Sequence, residues 1–304
     1  MNDDWLAGRF EGNRARLGAM AYRMLGSAND AEDALQEAWI HAAGADSDAV
    51  ANLDGWFTTI VARVCLDMLR KRRARPEEPT GADIEPGAFA APAPAQAGPA
   101  PGPEQEAVLA DSVGLALLVV LDRLAPAERV AFVLHDMFGV PFGEIAGITG
   151  RSPDAARQLA SRARRRVRGE DTAATGDAAS GERLARQRTV AEAFLAASRA
   201  GDLTALLAVL DPDVVLHADP AAVPPGFPAV LKGAEAVARG ARTAAARSRR
   251  SAVALIDGVP GIVWAPRGRV ILVLAFSYRE MRISGIDIIA DRGRLDALEL
   301  SVPD

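Results

Sequence analysis

A single cysteine, Cys65, stands in the 304 residues. One thiol excludes an internal disulfide and any zinc site built on several cysteines. Long apolar runs are missing too. A run such as Val270 to Phe276 falls far short of the roughly 20 residues a bilayer-spanning helix needs. The first residues, MNDDWLAGRF, carry acids and no apolar core behind basic residues, so no signal peptide is expected. A reducing, cytoplasmic setting is the simplest expectation. There is no basic excess either: the formal net charge is −5. Contact with nucleic acid must then come from local patches, not from the field of the whole molecule. The chain has no internal repeat.

Apolar residues make up 49%, ample for packed cores, and the length suggests two or three domains. Two joints divide the chain. Residues 76–103 are mostly Pro, Ala and Gly and bury too little apolar surface to fold, which predicts an extended linker. Residues 169–181, GEDTAATGDAASG, predict a second, shorter linker. The expected units are 1–75, 104–168 and 182–304.

The central unit is organised around FGEIAGITGRSPDAARQLASRARRRVR, Phe142 to Arg168. A first helix is predicted over Phe142 to Thr149, with Ile145, Ala146 and Ile148 inward. Gly150 supplies a turn that needs a left-handed residue. Ser152 is a natural N-cap, and Pro153 suits the first helical position. The second helix then places Ala156, Leu159, Ala160 and Ala163 on one side. Arg157, Gln158, Ser161, Arg162 and Arg165 fall outward. These are the parts of a helix-turn-helix. Arg and Gln are able to read base edges, and the Arg164 to Arg168 end is able to hold phosphates. An αα-hairpin with a solvated charged face is the plainer reading of the same pattern.

The N-terminal unit reads as all-helical. Trp5, Phe10, Leu17, Met20, Ala21, Met24 and Leu25 form a helical stripe ending near Gly26. Asn29 and Glu32 are a plausible capping pair for the next helix, which buries Ala31, Leu35, Ala38, Trp39 and Ala42. Its outer face carries Asp30, Asp33 and Glu37, with Glu32 and Gln36 alongside. An acidic stripe is unsuited to DNA and suited to a basic protein surface. A third helix starts near Asp54 with Phe57, Ile60, Val61, Val64 and Met68 as its core stripe, and Cys65 beside them as a small core residue. It ends in Arg70, Lys71, Arg72, Arg73 and Arg75, a run favoured by the helix dipole and able to neutralise phosphates. Trp56 and Phe57 are either two core anchors or a stacking wall for an unpaired base.

Three segments, NDAEDALQEAW, NLDGWFTTIVARVCLDMLRKRR and LAPAERVAFVLHDMFGVPFGEIAGITGRSPDAARQLASRARRRV, lie in that order with a Pro-rich link between the second and third. In this the sequence resembles the extracytoplasmic-function (ECF) group of the bacterial sigma-70 family. The resemblance covers residues 5 to about 75 and 105 to 168. It implies that the first block clamps the polymerase β′ coiled coil, with Asp30, Glu32, Asp33, Gln36 and Glu37 as contacts. It implies that the second block melts and reads the minus-ten element, through Asn52, Trp56, Thr59, Arg63, Arg70, Lys71, Arg72 and Arg73. The third block, through Ser152, Arg157, Gln158, Ser161, Arg162, Arg165 and Arg166, would read the minus-thirty-five element.

The C-terminal unit differs in kind. A helix over GERLARQRTVAEAFLAASRAG turns Leu184, Val190, Phe194 and Ala197 inward, and a short helix covers Leu203 to Leu210. Strand-like runs follow at Val214–Ala218, Ala252–Ile256, Gly261–Trp264, Val270–Tyr278 and Ile283–Ala290, with a helix near Ala234–Ala246. This order resembles the SnoaL-like (NTF2-like), cone-shaped α+β fold carried by ECF sigma factors of the SigJ type. SnoaL relatives include polyketide cyclases, so His217, Asp219 and Asp287 are the acid/base candidates. None has a partnered acid at diagnostic spacing, and no catalysis is expected. Where some such sigma factors carry DGGG, this chain has Asp257-Gly258-Val259-Pro260. The Pro-rich loop from Ala218 to Phe227 is an alternative contact element.

The expected fold class is therefore multidomain: two all-α sigma domains, the second a helix-turn-helix, followed by an α+β domain. The expected function is promoter-specific initiation with core RNA polymerase, contacting its β′ and β subunits and promoter DNA. No membrane contact, cofactor or metal is expected. A small-molecule or intramolecular contact through the C-terminal domain is a further expectation. A helix-turn-helix repressor or activator with a ligand-sensing domain is the alternative; it needs neither the acidic helix nor the Trp56 helix.

Overall fold

The structure is a computed structural model that describes residues 3–45, 50–74, 114–169, 178–223, 228–244, 248, 251–266 and 269–302. The linker expected over 76–103 and most of that expected over 169–181 lie outside the described residues. The chain contacts group into two compact units. One takes in residues up to Glu77 and Leu121–Arg165; the other takes in Leu115–Val120 and Arg166 onward.

Three helices begin the first unit: α1 (Asp3–Leu25), α2 (Ala28–Ala43) and α3 (Leu53–Ala74). Phe10, Leu17, Met20, Ala21, Met24 and Leu25 are buried, as the stripe predicts, but Trp5 is 46% exposed and Leu6 is buried in its place. The cap of α2 also differs from expectation. Ser27, not Asn29, is the N-cap and accepts from the Asp30 backbone N–H at 3.4 Å. Gly26 takes φ 76° just before it, which ends α1 and resets the chain direction. Glu32 pairs with Arg14 instead of closing a capping box. In α3 the buried positions are Leu53, Phe57, Thr58, Val61, Ala62, Val64, Cys65, Leu66 and Leu69, while Ile60 and Met68 are half-buried.

Next come α4 (Leu115–Arg123), α5 (Pro126–Phe132), a π-helical turn (Val133–Met137), α6 (Phe142–Thr149) and α7 (Pro153–Arg168). Pro126 sits at the start of α5, where it lacks only an N–H that has no partner in any helix. Gly139, at φ 66°, stops the π-turn. Helix α3 packs on α5 and α6. Arg129 of α5 is 2% exposed. Among the described residues its Nε and Nη2 have no hydrogen-bond partner, and Asp122, 3.4 Å from Nη1, is the carboxylate that offsets its charge. Burial lowers its pKa, against the opposing pull of Asp122.

The second unit has helices α8 (Ala178–Ala200), α9 (Leu203–Val209), α10 (Ala234–Thr243) and α11 (Arg292–Ala297) around one sheet. Its strands are β1 (Leu210–Ala218), β2 (Val230–Lys232), β3 (Ser251–Ile256), β4 (Val259–Trp264), β5 (Leu272–Arg279), β6 (Arg282–Ile289) and β7 (Leu300–Ser301). The order across the sheet is β2-β1-β6-β5-β4-β3-β7, with β1 and β6 parallel and every other pair antiparallel. The expected elements are all present. The short strands β2 and β7 and the helix α11 were not foreseen, and α8 starts at Ala178, four residues inside the expected linker.

Alternation along the strands gives the sheet two faces. Leu216, Ile262, Leu272, Phe276, Ile286 and Ile288 pack with Val190, Phe194 and Ala197 of α8 and with Val237 of α10. On the other face Ala254, Ile256, Val263, Val273 and Ile289 pack with Leu295 and with Val119 of α4. Thus α4 is built partly into the second unit's core. Gly261 is required in β4: a Cβ there would lie 2.5 Å from the Leu274 carbonyl oxygen and 2.4 Å from Ile256 Cδ1.

Candidate nucleic-acid interface

Helices α6 and α7 form the predicted pair to the residue. Gly150 adopts φ 68° and ψ 35°, and its N–H caps the Ala146 carbonyl. Ser152 Oγ accepts from the Ala155 N–H at 3.2 Å. Ile145, Ala146 and Ile148 are buried beneath, as are Ala156, Leu159, Ala160 and Ala163 of α7. Ser152, Arg157, Gln158, Ser161, Arg162, Arg165 and Arg166 are all exposed. Arg157 binds Asp154 at 2.7 Å and lies 5.5 Å over the Phe142 ring, and Arg162 reaches Glu128 at 3.4 Å. Arg164, half-buried, pairs with Asp136 at 2.5 Å and ties α7 to the π-turn.

The two aromatics of α3 differ in burial. Phe57 is fully buried and meets Phe10 edge-on at 5.2 Å. Trp56 is half-buried, its ring 5.5 Å from that of Phe57. Asn52 accepts from the Gly55 N–H at 3.1 Å and opens the helix. Thr59 bonds back to the Gly55 carbonyl at 3.0 Å. Arg63 is exposed and donates to the Gly147 carbonyl of α6 at 3.2 Å. Lys71 and Arg73 are exposed, and Arg70 pairs with Asp67 at 3.4 Å. Arg72 departs from the phosphate-facing expectation: it pairs with Asp30 and donates to the Leu25 carbonyl at 3.1 Å.

The same pair takes Asp30 out of the acidic face of α2, and the Arg14 pair takes Glu32. Asp33, Gln36 and Glu37 remain exposed on that face. With them stands Ile40, 71% exposed, which sequence reasoning missed. Positions 33, 36, 37 and 40 share one side of a helix, and that spacing was the available signal. Arg129 was missed as well, and no local pattern marks it.

In the second unit the acid/base candidates do not converge. His217 and Asp287 are paired across β1 and β6, and both are exposed on the face away from α8. Asp219 accepts from the Ala290 and Asp291 backbone N–H groups at 3.1 and 3.2 Å and pairs with Arg294. It fastens β1 to the end of β6. Among the described residues no cluster of His, Cys, Asp and Glu is arranged to hold a metal, and no helix is long and apolar enough to cross a membrane.

Residues 10–75 match Sigma-70 region 2, and residues 114–167 match Sigma-70, region 4. Over 231 residues the chain is 39% identical to the ECF RNA polymerase sigma factor SigJ of Mycobacterium tuberculosis (strain ATCC 25618 / H37Rv), covering 76% of this chain and 70% of that protein. It is 37% identical over 216 residues to the probable ECF RNA polymerase sigma factor SigI of the same organism, covering 71% of this chain and 70% of that one. The crystal structure of M. tuberculosis SigJ aligns with 95% of this chain and 98% of its own at 30% identity, with a TM-score of 0.44. The chain belongs to the ECF sigma factors, of the SigJ type, and its function is promoter-specific transcription initiation with RNA polymerase.

Proposed function

We propose that the work of a sigma factor is divided among three surfaces of this chain. The exposed Asp33, Gln36, Glu37 and Ile40 side of α2 docks on a basic surface of core polymerase. Asp30 and Glu32 act from behind, through Arg72 and Arg14. The α3 surface engages the minus-ten element: Trp56 offers a half-exposed ring for an unstacked base, Asn52, Thr59 and Arg63 flank it, and Arg70, Lys71 and Arg73 take phosphates. Helix α7 reads the minus-thirty-five element with Arg157, Gln158, Ser161 and Arg162, positioned by Ser152, while Arg165 and Arg166 grip the backbone. Since Arg63 is bonded to Gly147 of α6, reading the two elements at once requires that contact to break.

The observation that carries this reading is the row of exposed basic and amide side chains on α7 above a buried alanine seam. Its test is a promoter library transcribed with core polymerase. Gln158→Ala should relax preference at one upstream position at a cost of about 1–3 kcal/mol against the best base. An unchanged preference at every upstream position refutes direct readout by this helix.

The C-terminal unit modulates the sigma units and catalyses nothing in this reading. Two observations support it: His217 and Asp287 lie away from the packed side of the sheet, and Val119, from the matched region 4, is fully buried in that sheet's core. The working compartment is the cytoplasm, where polymerase and promoter meet.

A further inference from the structure

The apolar face of the C-terminal sheet does not close completely on its helices. Between α8, α10 and strands β1, β4, β5 and β6 lies a cavity of ≈ 80 Å³, walled largely by Leu, Ile, Val and Ala side chains. That is room for roughly six water-sized volumes. Among the described residues, no Asp, Glu, Lys, Arg or His lines it. Among the described residues, two polar atoms of its lining side chains have no hydrogen-bond partner: Trp264 Nε1 and Ser198 Oγ. Ser198 is only 5% exposed. A third polar group nearby, the Tyr278 hydroxyl, is already committed to the Pro260 carbonyl at 2.7 Å.

A buried donor without a partner is costly, and native folds seldom keep two in one cavity wall. We infer that this cavity, with Trp264 and Ser198 as donors, is a binding site for a small, neutral, mostly apolar molecule carrying one hydrogen-bond acceptor, such as a ketone or ester. Each part of that description has its own cause. A charged ligand would lose its hydration and meet no counter-charge among the described lining residues. The indole N–H only donates, so the ligand must accept; the serine hydroxyl is able to donate as well. The apolar wall supplies the remaining binding energy and favours hydrocarbon over water. The site rests on the reading of this unit as modulatory only for its use, because binding is measured without transcription.

The test uses the full-length protein and two probes of the same shape. Acetophenone presents a carbonyl; α-methylstyrene replaces it with C=CH2. Binding is followed through the indole N–H signals in two-dimensional NMR, with Trp264 assigned by its loss in Trp264→Phe. Acetophenone should shift the Trp264 signal saturably, with a dissociation constant on the order of 1 mM or below. α-Methylstyrene should bind about fivefold to tenfold more weakly, the worth of one hydrogen bond. That preference should vanish in Trp264→Phe and shrink in Ser198→Ala. Equal affinity for the two probes in the wild type would show an apolar void without a polar anchor and overturn the assignment. So would a Trp264 signal unmoved by acetophenone up to its solubility. If the probes behave as stated but leave transcription unchanged, the site stands and the modulatory reading falls.

Discussion

Ile40 offers a sharp separation of binding from folding. It is 71% exposed on α2, so the fold gains little from its side chain, and Ala is the better helix former by a few tenths of a kcal/mol. Ile40→Ala should therefore leave the melting temperature unchanged or slightly raised. Core polymerase binding should respond differently. The substitution removes three carbons, each worth about 0.8 kcal/mol when fully buried. With 71% of the side chain's surface still available for burial, the loss comes to about 1.7 kcal/mol, or close to twentyfold in Kd. The assay is a titration of labelled full-length protein with core polymerase at two salt concentrations. The Ile40→Ala loss should persist at high salt, since burial of apolar surface is not screened. The loss from reversing Asp33 and Glu37 to Lys should shrink at high salt, as contacts between exposed charges do. An Ile40→Ala affinity within twofold of the wild type, with the fold intact, would remove α2's outer face from the interface.

Arg129→Met should stabilise the first unit: it removes two buried, unpartnered N–H groups at about 1–3 kcal/mol each and gives up one long pair with a partly exposed carboxylate. A rise of a few degrees in its thermal transition is expected, and a fall of similar size would show that the guanidinium holds the α3–α5 seam together. Burial pushes the Cys65 thiol up to about 12, so native protein at pH 8 should resist alkylation that goes to completion in urea; rapid native labelling would contradict this. The folded thiol holds its proton more tightly than the unfolded one, whose ordinary value is 9.0. Its contribution to stability is thus complete below about pH 9 and lost progressively between 9 and 12, and Cys65→Ala should flatten that slope. Val119→Ala opens a small void in the second unit's core, at about 2 kcal/mol. Transcription from a fixed promoter should change more than twofold, and identical output would argue against modulation through α4.

The parts legible in the sequence are those whose cause is local. Gly150, Ser152 and Pro153 punctuate α6 and α7 by their own backbone chemistry, and alanines at three- and four-residue spacing mark the seam. The strands of the second unit were legible from apolar alternation. What escaped was set by partners distant in sequence. Arg72 turns inward because Asp30 and the Leu25 carbonyl are there, which no reading of the basic run alone reveals. Arg129 looks like a solvated residue until α3 covers it. Strand β2, three residues long, exists because β1 offers it an edge, and β7 depends likewise on β3. The cap of α2 was misread because Asn29 and Ser27 are both good caps, and the left-handed Gly26 decides between them. Ile40 was overlooked because an apolar residue in an amphipathic helix is ordinarily assigned to the core.

The central claim, that this chain directs polymerase to promoters and is not a stand-alone DNA-binding regulator, is met most directly by transcription with purified components. Core RNA polymerase and full-length protein are combined on a library of bacterial DNA fragments, and transcript starts are mapped. Discrete start sites should appear only when both components are present, with open-complex formation impaired by Trp56→Ala more than closed-complex binding. Tight, sequence-specific binding to duplex DNA by the protein alone, with no start site added to those of core enzyme, would contradict it.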